Sequence, residues 1–475
     1  ELRPRDWSSD VCSSDPCRYR IAVDSARIGL PEVHLGLIPG AGGTQRLPRI
    51  AGLDSALDMI TSGRHVGASE AFKMGVIDQL CGDQDLLNTA VEFAEQILDR
   101  GDSRPRISET ILADSPENRE TLAAWETRIS KKARGQQSPW AEVASNGNAL
   151  KLPFAEGLKK EREIFMDCMA SPQSKALRLI FFAERAAAQL PESVPYTPTE
   201  IHTAAVIGGG TMGRGIAMCF ANVNIPVKVI ETDQAKLDQA LRAIETTYTR
   251  MVASGRISED QQQQHLSQIS GSCDHASLVQ VDLVIEAAFE NLEVKHSIFS
   301  SLDKHCSPEA ILATNTSYLD IEAIASAVRD PSRVVGMHFF SPAHIMKLLE
   351  VVRTPKTSAT AISTMMKLGK TLGKRTVLVG NDFGFAANRM YSAYGREGQQ
   401  ILLEGVTPAQ LDQAMENWGM AMGPTAVLDL SGIDIGYQAR QQNPMPPADP
   451  CYFPPANLLA ERGYLGRKTG RGFYH

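Results

Sequence analysis

The residues best suited to chemistry in this 475-residue chain begin with three glycines and a carboxylate. Gly208, Gly210 and Gly213 form Gly-x-Gly-x-x-Gly directly after the apolar run Ala204-Ala205-Val206-Ile207. Ile216, Ala217 and Phe220 then recur at helical spacing, so the stretch reads strand, tight turn, helix. Such a turn brings bare backbone against a pyrophosphate. Gly208 serves the sharp turn, Gly210 the close approach and Gly213 the packing of helix on strand. Thr211 and Met212 fall in the first helical turn, where free N–H groups and the positive end of the helix favour an anion. A second apolar run, Val227-Lys228-Val229-Ile230, ends in Glu231, and 231 − 208 = 23, near the roughly 20-residue interval to a ribose-binding carboxylate. Packing alone would explain the glycines but not the carboxylate. No arginine follows in Thr232-Asp233-Gln234, and Glu231 would repel a 2′-phosphate, so the expected cofactor is NAD and not NADP.

Polar residues punctuate the apolar runs that follow. The run 281–288 reads as a buried strand, followed by Glu290-Asn291 and a helix from Leu292 that carries Lys295. The run 310–314 ends in Asn315-Thr316-Ser317, and the runs 333–342 and 346–352 read as neighbouring strands carrying His338 and Glu350. Asn388 lies where a helical region begins. This set resembles the L-3-hydroxyacyl-CoA dehydrogenase family, including the spacings of 12 from His338 to Glu350 and 50 from His338 to Asn388. The resemblance implies that His338 is a general base, Glu350 its orienting carboxylate, and Ser317 and Asn388 polar contacts to the substrate. It places Glu290 and Lys295 at the nicotinamide-side ribose and Asn315 on the cofactor side. Oxidation of a secondary alcohol removes a hydride from carbon and a proton from oxygen. The protein must therefore supply a base that titrates near neutrality, which imidazole does, and a counter-charge for the imidazolium.

Upstream, the run 27–49, with Leu30-Pro31-Glu32-Val33 and Pro39-Gly40-Ala41-Gly42-Gly43-Thr44, resembles the crotonase (enoyl-CoA hydratase/isomerase) superfamily. Two short amphipathic helices stopped by Gly63 and Gly75, and a third over about 86–99, continue it. In that family two glutamates flank a water that adds across a double bond, and Glu32 matches one of them. The other falls in register at Cys12, so Glu32 is expected to be a vestigial hydratase residue. With the helices 153–165 and 176–185, the combined resemblance is to the bifunctional enoyl-CoA hydratase/3-hydroxyacyl-CoA dehydrogenases of fatty-acid β-oxidation. It implies a chain truncated at both ends, without the first crotonase half and without a second C-terminal helical repeat.

These elements predict an α/β protein. A Rossmann-type NAD-binding domain (201–382) carries an all-helical C-terminal domain (383–475) and follows a partial crotonase-like α/β module (17–100) and linker helices (101–200). Residues 1–16, with the near-repeat Ser8-Ser9-Asp10 and Ser13-Ser14-Asp15, are expected to be a non-native leader, and 101–135 a loop and solvated helix. The net charge of −7 disfavours nucleic acid as a partner, and no apolar run reaches the ~18 residues of a membrane span. Eight cysteines show no metal-ligand spacing, so no metal is expected; a cytoplasmic location follows, with the peroxisome as the alternative. The expected partner is an acyl-CoA thioester. A homo-oligomer, through apolar residues such as Leu403, Leu411 and Met420, and a thiolase are candidate associations. Two other functions stand against the dehydrogenase: hydratase/isomerase as the main activity, and a scaffold that binds NAD or acyl-CoA without turnover.

Overall fold

The computed structural model describes residues 17–101, 104–442 and 453–474. Residues 1–16, expected from sequence to be a leader and including Cys12, lie outside them. The chain divides into two compact units, Glu1–Ala183 and Glu184–His475.

In the first unit, strands β1 (Ile21–Val23) and β4 (Gln79–Cys81) pair in parallel, and β2 (Arg27–Ile28) pairs antiparallel with β3 (Val66–Gly67). The helices Gly43–Ala51, Leu53–Ser62 and Ala68–Lys73 pack Leu47, Met59, Ile60 and Ala71 against Ile28, Leu30 and Val66. Gly63, at φ +64, ends the second helix in the left-handed conformation that favours glycine. The polar stretch expected to be a loop and solvated helix holds the largely exposed helix Pro116–Lys132, which is docked by burying Trp125 and Ile129 on Leu53 and Leu57. Two apolar residues four apart on one face are enough to dock an otherwise charged helix.

The second unit contains an eight-stranded sheet of order β12-β11-β10-β9-β8-β5-β6-β7. Its strands are β5 (Ala204–Ile207), β6 (Val227–Ile230), β7 (Ile269–Ser272), β8 (Leu283–Glu286), β9 (Ile311–Thr314), β10 (Val334–Phe339), β11 (Leu348–Arg353) and β12 (Arg375–Gly380). All neighbours are parallel except β10 and β11. Helices cover both faces, so the strands are apolar along their length. Ala204 and Val206 join the core with Phe220 and Tyr248, while Ala205 and Ile207 join the core with Phe299 and Leu302. Phe220 and Phe299 are fully buried, each stabilising by roughly 2 kcal/mol.

The last residues of four strands lie in register: Ile230 beside Ile207, Ile207 beside Glu286, and Glu286 beside Thr314. The chain order reverses between β5 and β8, so the loops after these residues meet at the sheet's switch point.

The C-terminal helices are Ala387–Leu403, Pro408–Trp418, Pro424–Ser431, Ile433–Gln442 and Pro454–Glu461. Thr407 caps the second through Gln410 N–H. Asp412 accepts from Thr425 N–H, Ala426 N–H and the Tyr474 hydroxyl, and Asp429 accepts from the N–H groups of Phe473 and Tyr474. Leu411, counted in sequence among residues of an association face, is buried at 6%, whereas Leu403 and Met420 are exposed.

Candidate active site

The glycine turn leaves β5 as its spacing requires. Gly208 has φ +99, and a Cβ there would lie 2.9 Å from the Ala287 carbonyl oxygen. A Cβ on Gly213 would lie 1.8 Å from the Gly208 carbonyl oxygen, so only glycine lets the helix Thr211–Ala221 lie this close to the turn. Around Gly210 nothing lies within 4 Å of a Cβ, and no side chain caps the helix that starts there. The turn is thus a cradle open to a diphosphate, with Thr211 exposed and Met212 half-buried at its floor.

Glu231 follows β6 and accepts from Gly209 N–H at 2.7 Å through Oε1 and from Thr232 N–H at 3.0 Å through Oε2. Gly209, which the spacing rule passes over, is also constrained: its Cβ would sit 2.5 Å from the Ala240 methyl and 3.3 Å from Glu231 Cγ.

On the other side of the switch point, β10 and β11 place His338 directly opposite Glu350. His338 Nδ1 lies 2.7 Å from Glu350 Oε2, and the two residues are 3% and 1% exposed. Glu350 Oε1 accepts from the N–H groups of Ala386 and Ala387 at 3.0 and 2.9 Å, where the first C-terminal helix begins. Burial alone would raise the Glu350 carboxyl. The bond with His338, the two N–H donors and the His338 charge outweigh it and hold the carboxyl below its ordinary value. With Nδ1 committed to a carboxylate, Nε2 is the ring nitrogen left to take up or release a proton.

Aromatic rings wall this imidazole, with Phe340 4.4 Å and Phe385 5.5 Å away between ring centroids. Gly384 and Phe385 both adopt left-handed backbone, φ +74 and +49. A non-glycine residue held there costs on the order of 1 kcal/mol, which places the ring against His338.

Asn315 Oδ1 accepts from Phe339 N–H at 2.8 Å, tying the turn after β9 to β10. Asn388 Nδ2 lies 3.5 Å from the Ser317 carbonyl oxygen, so the two residues expected to touch substrate are brought together. Glu290 Oε1 accepts from Ser317 N–H at 2.8 Å, and Lys295, 1% exposed, is ion-paired to Glu286 and Glu290. Next to Asn388 opens a cavity of about 550 Å³, lined by Tyr318, Tyr391, Leu411, Leu428 and Phe453 among others.

In the first unit Glu32 lies on the short helix Pro31–Leu35. The fully buried Glu142 projects from the helix Ser138–Lys151, a stretch whose sequence offered no signal. Burial, and then the charge of Glu32, push the Glu142 carboxyl well above its ordinary value. The glycine-rich 40–43 segment starts the helix Gly43–Ala51, whose first N–H groups, on Gly42 and Thr44, donate to Glu161. A carboxylate of this chain therefore fills the anion-binding end of that helix.

Three family models match the chain. "Enoyl-CoA hydratase/isomerase" matches residues 16–138, "3-hydroxyacyl-CoA dehydrogenase, NAD binding domain" residues 203–383, and "3-hydroxyacyl-CoA dehydrogenase, C-terminal domain" residues 384–475. The stretch matched to the NAD-binding domain includes residues 208 to 315, and the cofactor is NAD. The peroxisomal bifunctional enzyme of Danio rerio is 41% identical over 479 residues, 96% of this chain. The chain spans about 65% of the length of that relative. The (S)-3-hydroxybutyryl-CoA dehydrogenase of Ralstonia eutropha is 34% identical, with TM-score 0.54, over 58% of this chain and 99% of the solved one. FadB2 of M. tuberculosis is 32% identical, with TM-score 0.55 and the same two coverages.

Proposed function

Because the chain belongs to the 3-hydroxyacyl-CoA dehydrogenase family, we propose that it oxidises (S)-3-hydroxyacyl-CoA to 3-ketoacyl-CoA with NAD, as a step of fatty-acid β-oxidation. The observation that carries this reading is the buried His338–Glu350 pair, 2.7 Å apart, at the carboxyl edge of the sheet. The nicotinamide of NAD supplies the hydride acceptor. His338 Nε2 takes the hydroxyl proton, and Glu350 fixes the tautomer and balances the imidazolium. Ser317 and Asn388 orient the hydroxyl and the thioester carbonyl, and the apolar cavity beside Asn388 takes the acyl chain. Exclusion of water by Phe340 and Phe385 strengthens each of these contacts.

Hydration of 2-enoyl-CoA is read as lost from this chain. Glu32 supplies one carboxylate. Its described neighbour Glu142 is buried with its carboxyl raised, and the register position of the family's second glutamate is Cys12. Adding water needs an oriented nucleophile and a proton donor, and a positioned acid–base group of this kind contributes about 10²–10⁴-fold. Two parallel assays test both readings. The purified protein should form NADH from 3-hydroxyacyl-CoA plus NAD, and at least ~10²-fold more slowly from 2-enoyl-CoA plus NAD. Comparable rates would reveal a hydratase site, and no NADH from the alcohol would remove the dehydrogenase reading.

Glu231 is expected to set cofactor choice. Glu231→Ala removes a ribose acceptor and a repulsive charge, so NAD binding should weaken by about 10-fold while NADP binding gains. Titrating both nucleotides reads the change; a wild-type chain that already favours NADP would overturn the assignment.

A homo-oligomer through the C-terminal helices is supported by the exposure of Met390, Leu403 and Trp418. A thiolase would consume the 3-ketoacyl-CoA product. No described helix is long and apolar enough to cross a membrane. The peroxisomal name of the zebrafish relative favours the peroxisome over the cytoplasm as the place of action.

A further inference from the structure

At the carboxyl ends of β8 and β9 lies a buried ionic cluster that proton and hydride transfer do not require. Lys295, in the first turn of the helix Leu292–His305, has its Nζ 2.8 Å from both carboxylate oxygens of Glu286, the last residue of β8. These two side chains are 1% and 0% exposed. Glu286 also accepts from the Thr314 hydroxyl at 2.7 Å and from Ala288 N–H at 2.7 Å. The same ammonium lies 3.3 Å from Glu290 Oε2. Glu290 Oε1 in turn accepts from the Thr316 hydroxyl at 2.6 Å, Ser317 N–H at 2.8 Å and Tyr318 N–H at 3.3 Å. Thr316 Oγ1 accepts from Leu319 N–H at 2.9 Å.

Burying an ion pair strips both ions of water at a heavy cost, so an apolar pair of similar volume would serve stability as well. An apolar pair could not hold a second carboxylate by charge. Glu290 is one-third exposed and sits on the turn after β8, so water competes for its carboxylate, and the buried ammonium adds a charge that helps to hold it on the three donors of the neighbouring turn. The bonds therefore form one connected path, from Glu286 in the sheet through Lys295 and Glu290 to the backbone that carries Ser317.

We infer that Glu286 and Lys295 are positioning residues: they hold Glu290, and through it the 316–319 turn, so that Ser317 stays beside Asn388 where substrate is met. Glu286 thereby gains a role, and Lys295 gains one beside the ribose contact that the resemblance implies. What Ser317 meets rests on the dehydrogenase reading; the pinning of the turn does not.

The test uses the full chain with Lys295→Met, and with the double variant Glu286→Gln/Lys295→Met, which removes the charge that the single change leaves buried. Hydrogen exchange of the 316–319 amides, read without substrate or cofactor, should rise at least ~10-fold in both, while the amides of β5 and β9 keep their protection. At saturating NAD, kcat should fall ~10–100-fold, since small misplacement of a substrate contact acts on the reacting geometry. Unchanged exchange at 316–319 would overturn the inference. So would a loss of NAD affinity with kcat at saturating NAD intact, which would confine Lys295 to the ribose contact. If the wild-type chain forms no NADH, the functional reading fails while the exchange result still decides the pinning. If protection of the strands is lost as well, Glu290→Gln, at a one-third exposed side chain that keeps an acceptor oxygen, is read for the same rise at 316–319.

Discussion

Replacing His338 with Gln is expected to lower kcat for 3-hydroxyacyl-CoA oxidation by ~10²–10⁴, with NAD affinity within about twofold of wild type. Glutamine is close to histidine in size, and its amide can still donate to Glu350 Oε2, the contact His338 makes at 2.7 Å. The strand β10, fully buried from Val334 to Phe339, should therefore keep its register. What is lost is an atom able to take a proton at neutral pH. The glycine turn and Glu231 lie on β5 and β6, several strands from β10, so cofactor affinity should survive. Steady-state NADH formation together with a binding titration checks both halves. A His338→Gln enzyme with wild-type turnover would show that the base lies elsewhere.

Glu350→Gln should reduce kcat by about 10²–10³, for a different reason. The amide oxygen can still accept from Ala386 and Ala387, which leaves the NH₂ to face His338 Nδ1. That donor favours the tautomer with its proton on Nε2, the nitrogen that has to be free to accept one, and the counter-charge for the imidazolium is gone. In a catalytic triad the same exchange behind the imidazole costs about 10⁴. A smaller loss is expected here because the alcohol proton is transferred to the base without nucleophilic attack on a carbonyl. Turnover of Glu350→Gln within about threefold of wild type would remove Glu350 from the mechanism. The change also has a signature in stability. The folded-state Glu350 carboxyl titrates below its ordinary value, so its ionised form stabilises the fold above the ordinary carboxylate range. That contribution is lost as pH falls through the lowered value. Thermal unfolding followed from neutral pH down into the acid range should therefore show a shallower acid decline for Glu350→Gln than for wild type.

Much of this arrangement is legible in local pattern. The continuous apolar run 204–207, the glycines at 208, 210 and 213 and the carboxylate at 231 are set by short-range geometry, because only glycine tolerates φ +99 at Gly208 or the contact at Gly213. A strand ending in Asn315-Thr316-Ser317 and two strands carrying His338 and Glu350 were also readable, since apolar length identifies buried strands. That His338 faces Glu350 was not. It depends on the antiparallel register of β10 on β11, in which a slip of one residue would turn one of the two side chains to the opposite face. Phe385 as a wall of the site depends on two successive left-handed residues that the run Phe383-Gly384-Phe385 only hints at.

The buried charges were the least visible. Glu286 looks like the polar end of a strand, Lys295 like one cation of a charged helix, and Glu142 lies in a Ser/Asn/Gly-bearing stretch without apolar periodicity. The sequence alone determined which residues could carry the chemistry and on which elements, because propensity and periodicity are properties of neighbours along the chain. The tertiary structure decided which charges meet: Lys295 between Glu286 and Glu290, Glu161 at the helix over Gly42 and Thr44, Glu142 beside Glu32. Desolvation makes that a three-dimensional decision. A buried charge is tolerated or not according to every group within a few ångströms, and those groups come from segments up to about 120 residues apart.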